Sequence, residues 1–138
     1  MQKGALGATI VRMKNLLIEI NDLKIRARLN GSQTAGQIWD ALPIKSFTST
    51  WGDEVYFQIP VKAKVESGFS KDVVEIGDLG YWPEGECFCI FFGPTPVSKP
   101  GEIRPASTVN IVGKLESDWQ VLKTVREDQS VIIREDEA

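Results

Sequence analysis

The side chains that could do chemistry are few, because the sequence contains no histidine. That absence excludes catalytic triads and dyads built on an imidazole base, and it removes the commonest metal ligand and the usual pH switch. Cys87 and Cys89, the two cysteines, stand two positions apart. On a strand such residues share a face, where an unstrained disulfide does not form easily. We therefore expect two small, buried, reduced side chains, no metal site and no cofactor.

Arg104 and Glu54 are the candidates for a catalytic role. Arg104 lies in a proline-rich loop, where its guanidinium could donate a hydrogen bond to the nitrogen of a twisted amide. That would assist prolyl isomerisation, whose barrier of about 18–20 kcal/mol comes from amide resonance and requires no nucleophile or metal. Glu54 begins a strand near aromatic residues, where a raised pKa could make it a base. The alternatives are a surface ion pair for Arg104 and a solvated turn carboxylate for Glu54.

Aromatic and polar side chains around these two residues could line a binding groove. Because side chains alternate along a strand, about half of the aromatic residues should face the core, and those with a polar atom are better suited to a surface. Polar residues in and after the proline-rich loop could bond a ligand or satisfy the loop's own backbone. The candidate ligand-binding residues are Trp51, Tyr56, Tyr81, Trp82, Phe92, Thr95, Ser107 and Asn110.

Short alternating segments separated by glycine and proline must position these side chains. The sequence predicts a hairpin over 16–29 that turns at Asn21 and Asp22, and a short helix over 35–42 that is capped by Ser32 or Thr34 and stopped by Pro43. About eight strands and at most two helices favour a closed barrel or sandwich over a βαβ sheet. The other expected segments are strands at 46–51, 54–59, 61–65, 73–76, 87–92, 109–115 and 131–133 and a helical turn over 119–125.

Length and charge limit the classes of partner. A chain of 138 residues predicts one domain, and a net charge of −3 offers no basic surface for nucleic acid. The longest uncharged run, 87–98, is too short to cross a membrane, and no secretory signal is evident, so we expect a cytoplasmic protein. We also expect a flexible leader over 1–12, a barrel domain over 13–134 and a frayed acidic tail over 135–138.

Three stretches, in their order and spacing, carry a resemblance to a known family. They are TWGDEVYF at 50–57, EIGDLGYWPEG at 75–85, and FFGPTP at 91–96 together with IRPASTVNIVG at 103–113. From about residue 13 to residue 133 the chain resembles the small prokaryotic cyclophilin-like proteins. The resemblance implies an eight-stranded barrel capped by short helices.

The resemblance implies less about activity. True cyclophilins are prolyl isomerases with Phe-His-Arg, Gln-Gly-Gly and Ser-Gln-Phe-Phe stretches, and this sequence has no counterpart of them. The fold can be shared without the function. We therefore expect the barrel to bind a small molecule or a proline-containing, extended peptide in an aromatic groove. The alternatives are a divergent prolyl isomerase that uses Arg104 and an interaction protein that forms homo-oligomers.

Overall fold

The structure, a computed structural model, describes residues 14–137, so the expected leader over 1–12 lies outside the described residues. The described part is mainly β. Its strands are β1 (Asn15–Ile20), β2 (Leu23–Leu29), β3 (Ile44–Phe47), β4 (Ser49–Thr50), β5 (Glu54–Gln58), β6 (Ser70–Lys71), β7 (Asp78–Trp82), β8 (Cys87–Phe91), β9 (Val109–Leu115) and β10 (Ser130–Glu135). Its helices are α1 (Gln33–Ala41) and a 3-10 helix (Trp119–Thr124).

One antiparallel sheet wraps into a nearly closed barrel. Nine of the described strands follow in the order β3-β10-β1-β2-β9-β7-β8-β5-β4, and β6 pairs with β9 outside this path. The first and last strands of the order, β3 and β4, are the two ends of one segment that is interrupted only at Thr48. The predicted barrel is confirmed, and counting that segment as one strand leaves eight around it.

The sequence-derived elements agree with the structure in the first hairpin and in both helices. Asn21 adopts a positive φ of 51° in the two-residue turn between β1 and β2. Ser32 caps α1 by accepting a hydrogen bond from the backbone N–H of Ala35 at 3.0 Å. Asp118 caps the 3-10 helix in the same way, through Gln120. These local signals are strong because each satisfies backbone groups or backbone angles without help from the rest of the fold.

Two predicted strands are wrong. Residues 61–65 form no ladder, because side chains occupy their backbone groups instead. The Tyr81 hydroxyl donates to the carbonyl of Val61 at 2.6 Å and accepts from the N–H of Ala63 at 3.3 Å. In the segment 73–76 only Val74 makes a β-bridge, to Ile103. At the other end of the chain β10 runs to Glu135, one residue into the expected tail.

Alternation along the strands divides the apolar residues between two faces. Phe88 and Ile90 of β8 point into the barrel, where they join the main core, and Phe88 stacks on Phe57 with ring centroids 5.4 Å apart. The intervening residues of β8 point outward. There they belong to a second group, here called the outer cluster, that consists of Val74, Cys87, Cys89, Phe91, Ile103 and Val109. The strand β8 is therefore buried on both of its faces.

The close approach of β2 and β9 gives a test of the fold. A Cβ added at Gly113 would lie 2.2 Å from the carbonyl oxygen of Arg28, a backbone atom that the ladder holds in place. We expect Gly113→Ala to lower the free energy of unfolding by about 1–3 kcal/mol through overpacking. Urea denaturation would measure the change.

Gly36 provides the matched control, since it lies inside α1 with nothing within 4 Å of an added Cβ. At Gly36 the substitution by alanine should raise the free energy of unfolding by about 1 kcal/mol, because alanine has a higher helix propensity than glycine by that amount. Equal effects at Gly113 and Gly36 would contradict the described pairing of β2 and β9.

Candidate functional site

A small cavity lies on the outer face of the barrel, beside the outer cluster. Its volume is about 120 Å³. Its walls are mostly apolar, with aromatic side chains and one carboxyl group. The lining residues are Trp51, Glu54, Tyr56, Trp82, Cys89, Pro105, Ala106 and Val109.

Strand register brings the floor of this cavity together. Tyr56 of β5 pairs directly with Cys89 of β8, and Glu54 pairs with Phe91. Residues opposite each other in an antiparallel pair share a face, and so do residues two apart on one strand. Trp82, at the end of β7, pairs with Cys87 on the same side. The side chains therefore converge because β5, β8 and β7 are neighbours in the sheet.

The loop over 92–108 covers the cavity and is fastened to the barrel at the turn before β5. Asp53 donates from its backbone N–H to the carbonyl of Pro94 at 2.9 Å, and its own carbonyl accepts from Phe92 at 2.9 Å. Gly52 has a φ of +60°, and a Cβ there would lie 2.8 Å from the Pro94 oxygen. Glycine is therefore needed for both its conformation and its lack of a side chain.

Polar side chains within the loop fix its shape. The Thr95 hydroxyl donates to the carbonyl of Arg104, and the Ser98 hydroxyl accepts from the backbone N–H of Arg104 at 2.9 Å. The Trp82 indole donates to the hydroxyl of Ser107 at 2.5 Å, which links the wall of the cavity to the end of its cover. The cover is therefore held at both ends and braced internally.

Glu54 supplies the carboxyl group of the cavity. Its side chain is buried, with the residue only 6% exposed, and burial raises the pKa of the carboxyl to about 7, partly opposed by a hydrogen bond from the Cys89 thiol. Within residues 14–137 no lysine or arginine forms an ion pair with it. The alternative of a solvated turn carboxylate is wrong. Glu54 is a buried carboxyl without a basic partner in the described chain.

Arg104 is not part of this cavity. Its guanidinium donates from Nε and Nη2 to the two carboxylate oxygens of Glu102, at 2.7 and 3.1 Å. Hydrogen bonding to Glu102 raises the pKa of the Arg104 guanidinium above its ordinary value. Arg104 therefore makes a surface ion pair, and the structure does not place it with Glu54 in one site.

Of the predicted ligand-binding residues, Trp51, Tyr56 and Trp82 line the cavity, and Ser107 lies next to it through its bond with Trp82. The other four are buried elsewhere and serve the fold. Tyr81 and Phe92 belong to the main core inside the barrel, because the alternation of β7 and the end of β8 turns them inward. Thr95 braces the loop, as described above.

Asn110 likewise has a structural role. Its side chain is fully buried, accepts from the backbone N–H of Glu66 at 2.8 Å and donates to the carbonyl of Lys64 at 2.9 Å. A third bond, at 3.1 Å, reaches the hydroxyl of Thr34 in α1. The Asn110 side chain therefore makes backbone hydrogen bonds that a strand ladder would otherwise supply at the end of the segment 61–65. It serves the fold rather than facing a ligand.

Four lining residues, Cys89, Pro105, Ala106 and Val109, were not predicted as site residues. Cys89 was expected to be a small buried side chain, and it is buried and reduced. The spacing of Glu54 and Tyr56 shows that they share a face, but no sequence signal pairs them with β8. Pro105 and Ala106 reach the cavity through the path of a long loop, which no periodicity encodes.

The buried carboxyl gives a prediction about stability and pH. The pKa of Glu54 is about 7 in the folded chain and near 4.5 when unfolded, so the folded chain binds more protons between these values. Stability contributed by the neutral carboxyl is therefore present at low pH and lost as the pH rises through 7. Relative to Glu54→Gln, the wild-type free energy of unfolding should fall by roughly 3 kcal/mol between pH 4.5 and 8, measured by urea denaturation.

Glu84, an exposed glutamate in the turn between β7 and β8, supplies the control. The Glu84→Gln variant should follow the wild-type pH dependence. Wild-type and Glu54→Gln curves that run parallel over the whole range would show that the Glu54 carboxyl has an ordinary pKa.

Comparison with known proteins agrees with the barrel described above. A family model described as Cyclophilin-like matches residues 14–134. A hypothetical protein from Archaeoglobus fulgidus, whose structure was determined in solution, is 37% identical, with 94% of this chain and 99% of that chain covered and a TM-score of 0.77. The search of the curated proteins found no match. The chain belongs to the cyclophilin-like family.

Proposed function

We propose that this barrel is a binding module that takes one small group of its ligand into the cavity beside Glu54. The ligand is a small molecule or one residue of an extended peptide. The observation that carries the proposal is the meeting of three part-exposed aromatic side chains and a buried carboxyl at one concave site. Sites for small ligands are typically apolar hollows with a few polar groups that fix orientation.

The size of the cavity limits what can enter. Its volume of about 120 Å³ is well below the roughly 300–1,000 Å³ of pockets that enclose a drug-sized molecule. A water molecule occupies about 30 Å³ in the liquid, so the cavity has room for a group of only a few non-hydrogen atoms. The rest of the ligand would lie over the rim, near Trp51 and Trp82.

The architecture supports a preformed site. The floor belongs to three paired strands, and the cover is held to the barrel by the backbone bonds of Asp53. A site fixed in this way loses little conformational entropy when a ligand binds.

None of the helices in residues 14–137 is long and apolar enough to cross a membrane.

No specific observation favours prolyl isomerisation as a second function. The reaction as expected from the sequence would use the Arg104 guanidinium, and Glu102 holds both of the donating nitrogens named above. The cavity itself offers a carboxyl and a thiol rather than a cationic donor. We therefore keep ligand binding as the proposed function.

The four tryptophans make the proposal testable by NMR. Trp51 and Trp82 line the cavity, whereas Trp39 and Trp119 pack against the main core. We propose titrating the ¹⁵N-labelled protein with two compact probes of similar shape, choline and 3,3-dimethylbutan-1-ol. Saturable shifts of the Trp51 and Trp82 indole N–H signals with at least one probe, without shifts at Trp39 and Trp119, are the expected result.

Filling the cavity should abolish that binding. Ala106 is exposed and lines the cavity, so Ala106→Leu places added bulk inside it at little cost to the fold. Val97→Leu adds apolar bulk to the same loop away from the cavity and should leave the titration unchanged. Absence of binding by both probes, or binding that survives Ala106→Leu, would overturn the proposed function.

A further inference from the structure

We infer that the group bound beside Glu54 is an organic ammonium ion, held by the carboxylate and by the surrounding rings of Trp51, Tyr56 and Trp82. This inference rests on the proposed function and names the chemical class of its ligand. The class comprises amines whose cationic head is small and carries apolar substituents, such as methyl groups.

Glu54 has no cationic partner among residues 14–137. A carboxylate removed from water is costly unless it is paired, and the described chain supplies no cation for it. An ammonium ion in the cavity would supply the missing opposite charge in a place where water screens little. An anionic ligand would meet like charge there. A neutral apolar ligand would leave the carboxylate buried and unpaired.

The aromatic rings of the cavity also favour a cation. Aromatic faces carry negative charge density and attract cations within about 6 Å, and Trp does so best. Two tryptophans and a tyrosine line this cavity, and the other walls are proline, alanine, valine and a thiol. Methyl groups on an ammonium ion fill such apolar space without demanding hydrogen bonds. Arrangements of rings around quaternary ammonium groups are a known use of this attraction.

The ionisation state of Glu54 connects the inference with pH. The carboxylate of Glu127 acts on Tyr56, which lines the same cavity. The titratable groups electrostatically coupled to Glu54 itself are the thiols of Cys87 and Cys89 on β8 and the hydroxyl of Tyr56 on β5. Burial raises the pKa of all three groups, so they stay neutral near pH 7. Pro105 and Ala106, which line the cavity from the cover, carry no charge. Binding of a permanent cation should therefore strengthen as the pH rises from 6 to 8 and Glu54 ionises.

The test compares choline with 3,3-dimethylbutan-1-ol, in which a carbon replaces the charged nitrogen. The readout is the dissociation constant of each probe from the indole shifts of Trp51 and Trp82. At pH 8 we expect choline to bind roughly thirtyfold more tightly or better, the scale of a buried charge pair. We expect the preference to shrink at pH 6, because choline keeps its charge while the carboxylate loses its own.

Variants separate the two parts of the recognition. Glu54→Gln should weaken choline binding by roughly thirtyfold and leave the alcohol nearly unchanged, whereas Glu84→Gln should change neither. Trp51→Leu keeps apolar bulk but removes a ring, so it should weaken choline several-fold more than the alcohol. Because the alcohol serves as an internal reference in every variant, a loss of binding through misfolding would be visible as loss of both probes.

Failure of this inference differs from failure of the proposed function. If both probes bind with similar constants, or if Glu54→Gln weakens them equally, the cavity is a binding site but the ammonium inference is wrong. If neither probe binds, the proposed function itself fails, and the inference fails with it. Preference for choline that does not depend on Glu54 would also overturn the inference.

The same ammonium chemistry could come from a free small amine or from a methylated lysine in a peptide. A peptide Ala-Gly-Lys-Gly-Ala with a trimethylated lysine, compared with its unmodified and norleucine forms, distinguishes the sources. Tighter binding of the trimethylated peptide than of choline indicates a peptide source. Binding of choline with no gain from the peptide indicates a free amine. If neither choline nor the trimethylated peptide binds, the inference is wrong.

Discussion

Strand β8 is buried on both of its faces, and this burial requires both a filled barrel interior and a covered exterior. Phe88 and Ile90 belong to the main core, which fills the inside of the barrel. Cys87, Cys89 and Phe91 are equally apolar on the outside, where most barrel strands meet water. An exposed apolar face of this kind needs a cover. The loop over 92–108 provides it, and the cavity is the space that the cover leaves.

That arrangement explains why a carboxyl is found away from water. Glu54 shares the outward face of β5 with Tyr56, and the loop closes over both once it is fastened at Asp53. A residue that packed fully, such as leucine, would avoid the cost of desolvating a carboxyl. Retaining the acid opposes stability at neutral pH, and such sites are frequently those where a protein meets a ligand. The cost is local, because the main core is a separate cluster.

The sequence predicts the barrel well and the site only in part. Turn residues such as Asn21 and caps such as Ser32 act through their own backbone neighbours, so they can be recognised without tertiary information. Alternation also shows that Glu54 and Tyr56 share a face. Alternation alone does not show that Tyr81 faces the inside of the barrel, because the face that each side chain of β7 takes depends on how β7 pairs with its neighbouring strands.

The missed parts of the site come from long-range contacts. Arg104 and Pro105 are adjacent in one loop, yet Pro105 lines the cavity and Arg104 binds Glu102, a difference set by the path of the loop. The segment 61–65 alternates like a strand but is held by Tyr81 and Asn110, which lie far along the chain. The family resemblance identified the fold correctly because its motifs mark turns and strand pairs. Those motifs carry no information about the charge of the ligand that we propose.

We propose that Glu54 is a buried, uncompensated carboxylate in a ligand site. The decisive measurement is ¹³C NMR of the Glu54 side-chain carboxyl carbon during a pH titration, with and without saturating choline. We expect a pKa of about 7 for the free protein and a clear decrease of the pKa when choline is bound. A titration at the ordinary value near 4.5 that choline does not move would contradict it.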